Sequence, residues 1–193
     1  DVMIEYPITI KNVLPDSKFY SLRDEFDHIG WKLDNRSYPT AQSGDKVSWM
    51  LNEPNNTLMM FECALIIKLK IQKYLKEDLV LIKIHSNGST SAQTQKFHRD
   101  FDPPNIWTFI LFTEEKWNTQ WGGEFVSFDP INSTYKYTPY MPNSGALIPS
   151  KWEHYGAAPN ECTGNLRTTM AFSYASAQTF EHIKNSPTVK SFL

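Results

Sequence analysis

The sequence predicts a mainly β (α+β) chain, with helices packed outside an antiparallel sandwich or barrel. Helical periodicity is confined to about the first 75 residues. After Glu77, six short apolar segments follow, separated by clusters of Gly, Pro, Asn and Asp, the texture of an antiparallel β core. Aromatic residues make up 14% of 193 residues, which excludes global disorder. A chain of this length buries roughly 70% of its unfolded surface and needs no disulfide or zinc staple.

Residues 4–10 read as a short strand, and Pro7 confines it to a sheet edge. Asp16 is positioned to cap a helix over residues 17–28, with Phe19, Leu22, Phe26 and Ile29 on one stripe. Pro15 precedes that helix and Gly30 ends it. Residues 31–54 are polar and read as irregular, anchored by Trp31 and Trp49. Thr57 opens a second helix to Leu75, where Leu58, Phe61, Ala64, Leu65, Lys68 and Leu69 recur at helical spacing. Strands are expected over 79–84, 107–112, 124–128, 135–140, 145–148 and 167–174. The tail, 176–193, reads as a short helix or a strap. The organisation expected is one domain over 1–193: a helical support region (1–77), a β catalytic core (78–175) and a C-terminal tail (176–193).

Lys and Arg number 19 against 21 Asp and Glu, a net charge of −2. No basic field gathers phosphates, so nucleic acid is not an expected partner. No apolar run reaches roughly 18 residues, so no membrane span is expected. The two cysteines, Cys63 and Cys162, form no CxxC pair. With no secretion signal at the start, a cytoplasmic, reducing compartment is the expectation.

Chemistry concentrates in His98-Arg99-Asp100, His154 and Arg167. An ion that must bind oxygen and substrates needs protein ligands on one face only. Two imidazoles and one carboxylate supply that arrangement. On a strand end, residues i and i+2 point the same way, so His98 and Asp100 suit one ion together. His154 follows Asp100 by 54 residues, room for a meander that returns a third ligand. Alone, an H-x-D or a single His means little. The order of further signals makes the set specific: Trp117 to Asp129 with its Gly122-Gly123 turn, then Pro142-Asn143-Ser144-Gly145-Ala146-Leu147, then Arg167-Thr168-Thr169. Arg167 opens an apolar strand, so it faces inward and requires an anion. A planar guanidinium matches a carboxylate with two parallel hydrogen bonds.

These residues resemble the iron(II)- and 2-oxoglutarate-dependent oxygenases, in particular the prolyl 4-hydroxylase-like branch. The resemblance spans about residues 79–175. It rests on the H-x-D, the W…GGE-F turn, the P-N-x-G-A-L strand, the second His and the R-x-T. It implies a double-stranded β-helix (jelly-roll) core. It implies Fe(II) held by His98, Asp100 and His154, with 2-oxoglutarate and O2 as cosubstrates and ascorbate as an accessory reductant. It implies that Arg167 pairs with the distal carboxylate of 2-oxoglutarate and that Thr169, on the same face, adds a hydroxyl. The expected reaction is hydroxylation of an unactivated C–H bond in a proline-containing peptide or protein. The alternatives are another residue, a small molecule, or a jelly-roll binding module without turnover.

The sequence departs from that branch in two places. Where relatives carry a tyrosine before the H-x-D, this chain has His85, which either donates a hydrogen bond in its place or faces the core. A second tyrosine position falls on Leu111 or Phe112, leaving Thr108 as the candidate contact on that side. Gln93, Gln95 and Arg99 either line an entrance or are solvated loop residues. His98-Arg99-Asp100 also matches the H-R-D of a kinase catalytic loop, but no glycine-rich phosphate loop or D-F-G accompanies it.

Overall fold

The computed structural model describes residues 4–35, 48–51, 57–160 and 164–191. Cys162 and most of the segment between Asn35 and Thr57 lie outside the described residues. The elements in order are β1 (Ile8–Ile10), α1 (Asp16–Ile29), β2 (Trp31–Asn35), β3 (Ser48–Leu51), α2 (Leu58–Leu75), β4 (Leu79–Ser89), β5 (Ile106–Phe112), a 3-10 turn (Thr119–Trp121), β6 (Phe125–Asp129), β7 (Thr134–Thr138), β8 (Gly145–Pro149), β9 (His154–Gly156), β10 (Arg167–Ser176), α3 (Ala177–Ile183) and α4 (Pro187–Lys190). They build two antiparallel sheets, a seven-stranded one in the order β1-β8-β5-β10-β4-β3-β2 and a three-stranded one in the order β7-β6-β9. This is the jelly-roll arrangement that the sequence resemblance implies.

Two local expectations are corrected. Asp16 does not cap α1: Pro15 holds the cap position and no side chain bonds to the helix start, so Asp16 is the first helical residue. The segment read as irregular contains β2 and β3, which pair with each other; β3 also pairs with β4 at Trp49 and Gly88. Helix α2 has the expected bounds and its Thr57 cap, whose hydroxyl accepts from the Met60 N–H. Its buried stripe, however, is Met60, Cys63, Ala64, Ile67, Ile71 and Leu75, while Leu58, Leu65 and Leu69 are exposed. Both stripes have helical period, and a helix apolar on every side does not reveal which face the sheet will cover.

Strand alternation divides the large sheet into two faces. The outer face presents Ile84, Phe109, Leu111, Leu147, Met170 and Phe172 to Phe19, Leu22 and Phe26 of α1 and to Ile67 and Ile71 of α2. The Tyr174 hydroxyl donates to Ala64 O at 2.7 Å, tying β10 to α2. The inner face meets the small sheet, where Ile110, Phe112, Ala146 and Ile148 close against Phe125, Tyr140 and Trp152. β10 lies between β4 and β5, so its register fixes both neighbours. Edge strand β1, which follows Pro7, pairs only with β8 among the described strands. The tail forms α3 and α4, which places Val189 against Ile82, Ile106 and Ala175. Among the described residues no helix is long and apolar enough to cross a membrane.

Candidate active site

The residues after β4 return across the open end of the sandwich. The His98 N–H donates to His154 O at 3.1 Å and the His154 N–H to His98 O at 3.0 Å. One step on, the Asp100 N–H donates to Ser150 O at 3.1 Å. Backbone pairing thus brings together two stretches far apart in sequence. His98, Asp100 and His154 each offer one ligand atom, and these atoms lie within 4.8 Å of one another. Asp100 Oδ1 is 3.9 Å from His98 Nε2 and Asp100 Oδ2 is 3.5 Å from His154 Nε2.

The tautomers follow from the neighbours. His98 Nδ1 lies 2.9 Å from Lys96 O, and His154 Nδ1 lies 2.9 Å from Trp152 O. A carbonyl only accepts, so each Nδ1 carries the proton and each Nε2 keeps a lone pair for an ion. Burial, followed by His154 alongside, pushes His98 below the ordinary histidine value and favours its neutral form. Burial alone would raise the Asp100 carboxyl. His154, His98, Lys83 and the Thr108 hydroxyl outweigh it and hold Asp100 below the usual value.

The Thr108 hydroxyl donates to Asp100 Oδ2 at 2.8 Å and lies 2.8 Å from Ser150 Oγ and 3.3 Å from Ser173 Oγ. It is therefore placed to orient that carboxylate. Sequence reading missed Ser173, which only the strand register places opposite Thr108, and Ser150, which meets Thr108 from just past the end of β8.

Arg167 is 3% exposed. Its Nε donates to Gly123 O at 2.6 Å, and its Cζ stands 5.3 Å above the Tyr140 ring. The Tyr140 hydroxyl donates to Thr168 O at 2.5 Å and accepts from the N–H groups of Thr113 and Glu114. A methyl group at Gly156 would lie 2.9 Å from Arg167 Nη1, and one at Gly123 would lie 3.1 Å from its Cδ. The two glycines leave the space the guanidinium occupies. Among the described residues no carboxylate lies within ion-pair distance of Arg167. Burial lowers its pKa to about 10, so it stays cationic at neutral pH. A buried cation whose two Nη groups have no hydrogen-bond partner among the described residues is a site for an anion.

Thr169 lies two residues on, on the same inner face, opposite Asn87 and Phe112. His85 stands opposite Ala171 on that face. Burial, and next the Lys83 charge, lower its pKa to about 4, so it is neutral at physiological pH. Of the three loop residues, Gln95 bridges Asn87 and the Gly156 N–H, Gln93 accepts from Thr90, and Arg99 pairs with Glu153 at the surface. Lys83 also shares the inner face and was not singled out from the sequence. The available signal was one charged residue at an inward position of an apolar strand.

By sequence the chain matches no protein-family model and no curated protein. By fold it is similar to solved structures. One is a prolyl-4-hydroxylase from Pseudomonas putida, 14% identical, with a TM-score of 0.63 over 88% of this chain and 91% of that one. Another is HygX from Streptomyces hygroscopicus with nickel, 2-oxoglutarate and hygromycin B bound, 11% identical, with a TM-score of 0.64 over 88% and 82%. A third is a prolyl hydroxylase from Trichoplax adhaerens in complex with a hypoxia inducible factor peptide fragment, 11% identical, with a TM-score of 0.65 over 89% and 84%. The chain thus has the jelly-roll fold of prolyl hydroxylases and other 2-oxoglutarate- and iron-dependent oxygenases, with a His-Asp-His triad at one end of its inner face.

Proposed function

We propose that this chain is an iron(II)- and 2-oxoglutarate-dependent dioxygenase that hydroxylates an unactivated C–H bond, with a prolyl residue of a peptide as the substrate class nearest to its structural relatives. The observation that carries the reading is one interior between the two sheets that holds both a convergent His-Asp-His triad and a buried arginine with no carboxylate within ion-pair distance among the described residues. A binding module without turnover has no use for that pair. The P. putida and T. adhaerens proteins support the prolyl reading, and the HygX complex with nickel and 2-oxoglutarate supports the requirement for a metal and 2-oxoglutarate.

In this reading His98 Nε2, Asp100 and His154 Nε2 hold the ion. When bound, the ion and 2-oxoglutarate supply the oxidising chemistry for C–H hydroxylation. The chain's own residues do the rest. Lys96 O and Trp152 O hold the two imidazole protons away from the ion. Thr108 fixes the Asp100 carboxylate. Arg167 takes the distal carboxylate of 2-oxoglutarate, and the neighbouring Thr169 offers a hydroxyl to it. Phe125, Ile110, Phe112 and Ile148 keep that part of the interior dry, which strengthens the guanidinium–carboxylate pair.

The test is succinate formation from 2-oxoglutarate with added iron, alongside a mass-spectrometric search for one added oxygen in a panel of proline-containing peptides. The wild-type protein should turn over, and Asp100→Ala should lose at least about a thousandfold of that activity with the loss of a ligand to the ion. Equal background from both proteins would sink the enzyme reading.

A further inference from the structure

Lys83 lies on the metal side of β4. Its cross-strand partner is Ser173 of β10, and Ser173 stands opposite Thr108 of β5. Residues in register share a face. Lys83 therefore projects inward beside the hydroxyls of Ser173 and Thr108, the latter bonded to Asp100. Its charge is felt there: after burial it is the next influence lowering His85, and it acts on His98 and Asp100 as well. The side chain is half-buried, and among the described residues no carboxylate lies within ion-pair distance of it.

Charge balance then decides what Lys83 is for. A divalent ion and Arg167 offset Asp100 and a dicarboxylate cosubstrate charge for charge. Lys83 is left over, at the opposite end of the inner face of β10 from Arg167. Beside a divalent ion a further cation is repelled unless an anion accompanies it. One ammonium on a strand in register with the Ser173 and Thr108 positions suits a single negative charge. A phosphate dianion would leave a charge uncompensated next to Asp100.

We propose that Lys83 binds a carboxylate of the substrate and so places the C–H bond to be oxidised beside the triad. This rests on the oxygenase reading above. The carboxylate belongs to a free amino acid or to an acidic residue of a peptide, and the experiment separates these sources.

The full chain, loaded with zinc and 2-oxoglutarate so that no turnover occurs, is titrated calorimetrically. The probes are free L-amino acids against their primary amides, and capped peptides with Glu or Gln beside proline. Acids should bind and amides should not. The free acids report a small-molecule source, and the Glu peptide without the Gln peptide reports a peptide source. Lys83→Met should weaken acid binding at least about tenfold while zinc and 2-oxoglutarate uptake stay intact, and Lys83→Arg should recover most of it. Intact uptake with acids and amides binding alike, with neither binding, or with Lys83→Met binding acids as tightly as wild type overturns this proposal alone. Failure of the wild-type protein to take up 2-oxoglutarate overturns the oxygenase reading and this proposal with it.

Discussion

The two faces of the seven-stranded sheet are made by the same strands and are chemically opposite. On β10, Met170, Phe172 and Tyr174 face the helices, while Arg167, Thr169, Ala171 and Ser173 face the small sheet. On β4, Ile84 faces out while Lys83 and His85 face in. On β5, Phe109 and Leu111 alternate with Thr108 and Ile110. A single-residue alternation separates the side chains that hold the fold from those that carry the chemistry. Backbone hydrogen bonds are common to both, so substitutions on either face should act nearly independently.

The sharpest way to break that separation is on the outer face. Phe172 is fully buried between β10 and the helices. Phe172→Ala should destabilise the chain by about 3–5 kcal/mol, seen as a lower denaturant midpoint, while folded protein keeps its metal site. Equal damage to metal affinity and stability would show that the faces are coupled.

The inner face should behave the other way. Arg167→Ala should raise the 2-oxoglutarate requirement by about a hundredfold, as expected for a charge-assisted bidentate pair, and leave iron content near that of wild type. Metal content and the cosubstrate dependence of succinate formation report the two quantities separately. Parallel loss of both would make Arg167 a structural residue.

A smaller effect depends on pH. His85 has a folded value near 4 against an ordinary 6.5. The unfolded chain therefore takes up that proton first as pH falls. Stability present above pH 6.5 is lost progressively between 6.5 and about 4. His85→Gln should remove up to about 3 kcal/mol of that acid sensitivity. Denaturant unfolding at about pH 7 and about pH 4 measures it, and an unchanged slope would mean that His85 titrates normally.

Much of this contrast was legible in the sequence, for a physical reason. The strands show their period, Thr57 caps α2, and Gly30 ends α1 with φ at 75°. The order of His98, Asp100, His154 and Arg167 survives as spacing. What was lost depends on pairing across the chain. β2 and β3 are short strands at one end of the large sheet, with no alternation to announce them, and the pairing partners hold them. β9 has three residues and exists because β6 lies beside it. Nothing in the sequence joins Thr108 to Asp100, and only the folded chain brings its hydroxyl to that carboxylate. Helical period alone does not say which stripe of α2 is buried, because both stripes carry apolar residues and the choice between them belongs to the sheet.

The reciprocal backbone bonds between His98 and His154 fix two of the three proposed ligands through the main chain itself. Little disorder has to be frozen out on loading, so stripped and loaded protein should share one backbone. For the proposed oxygenase, iron supply would then switch turnover on and off reversibly, without the chain unfolding or needing to be made again.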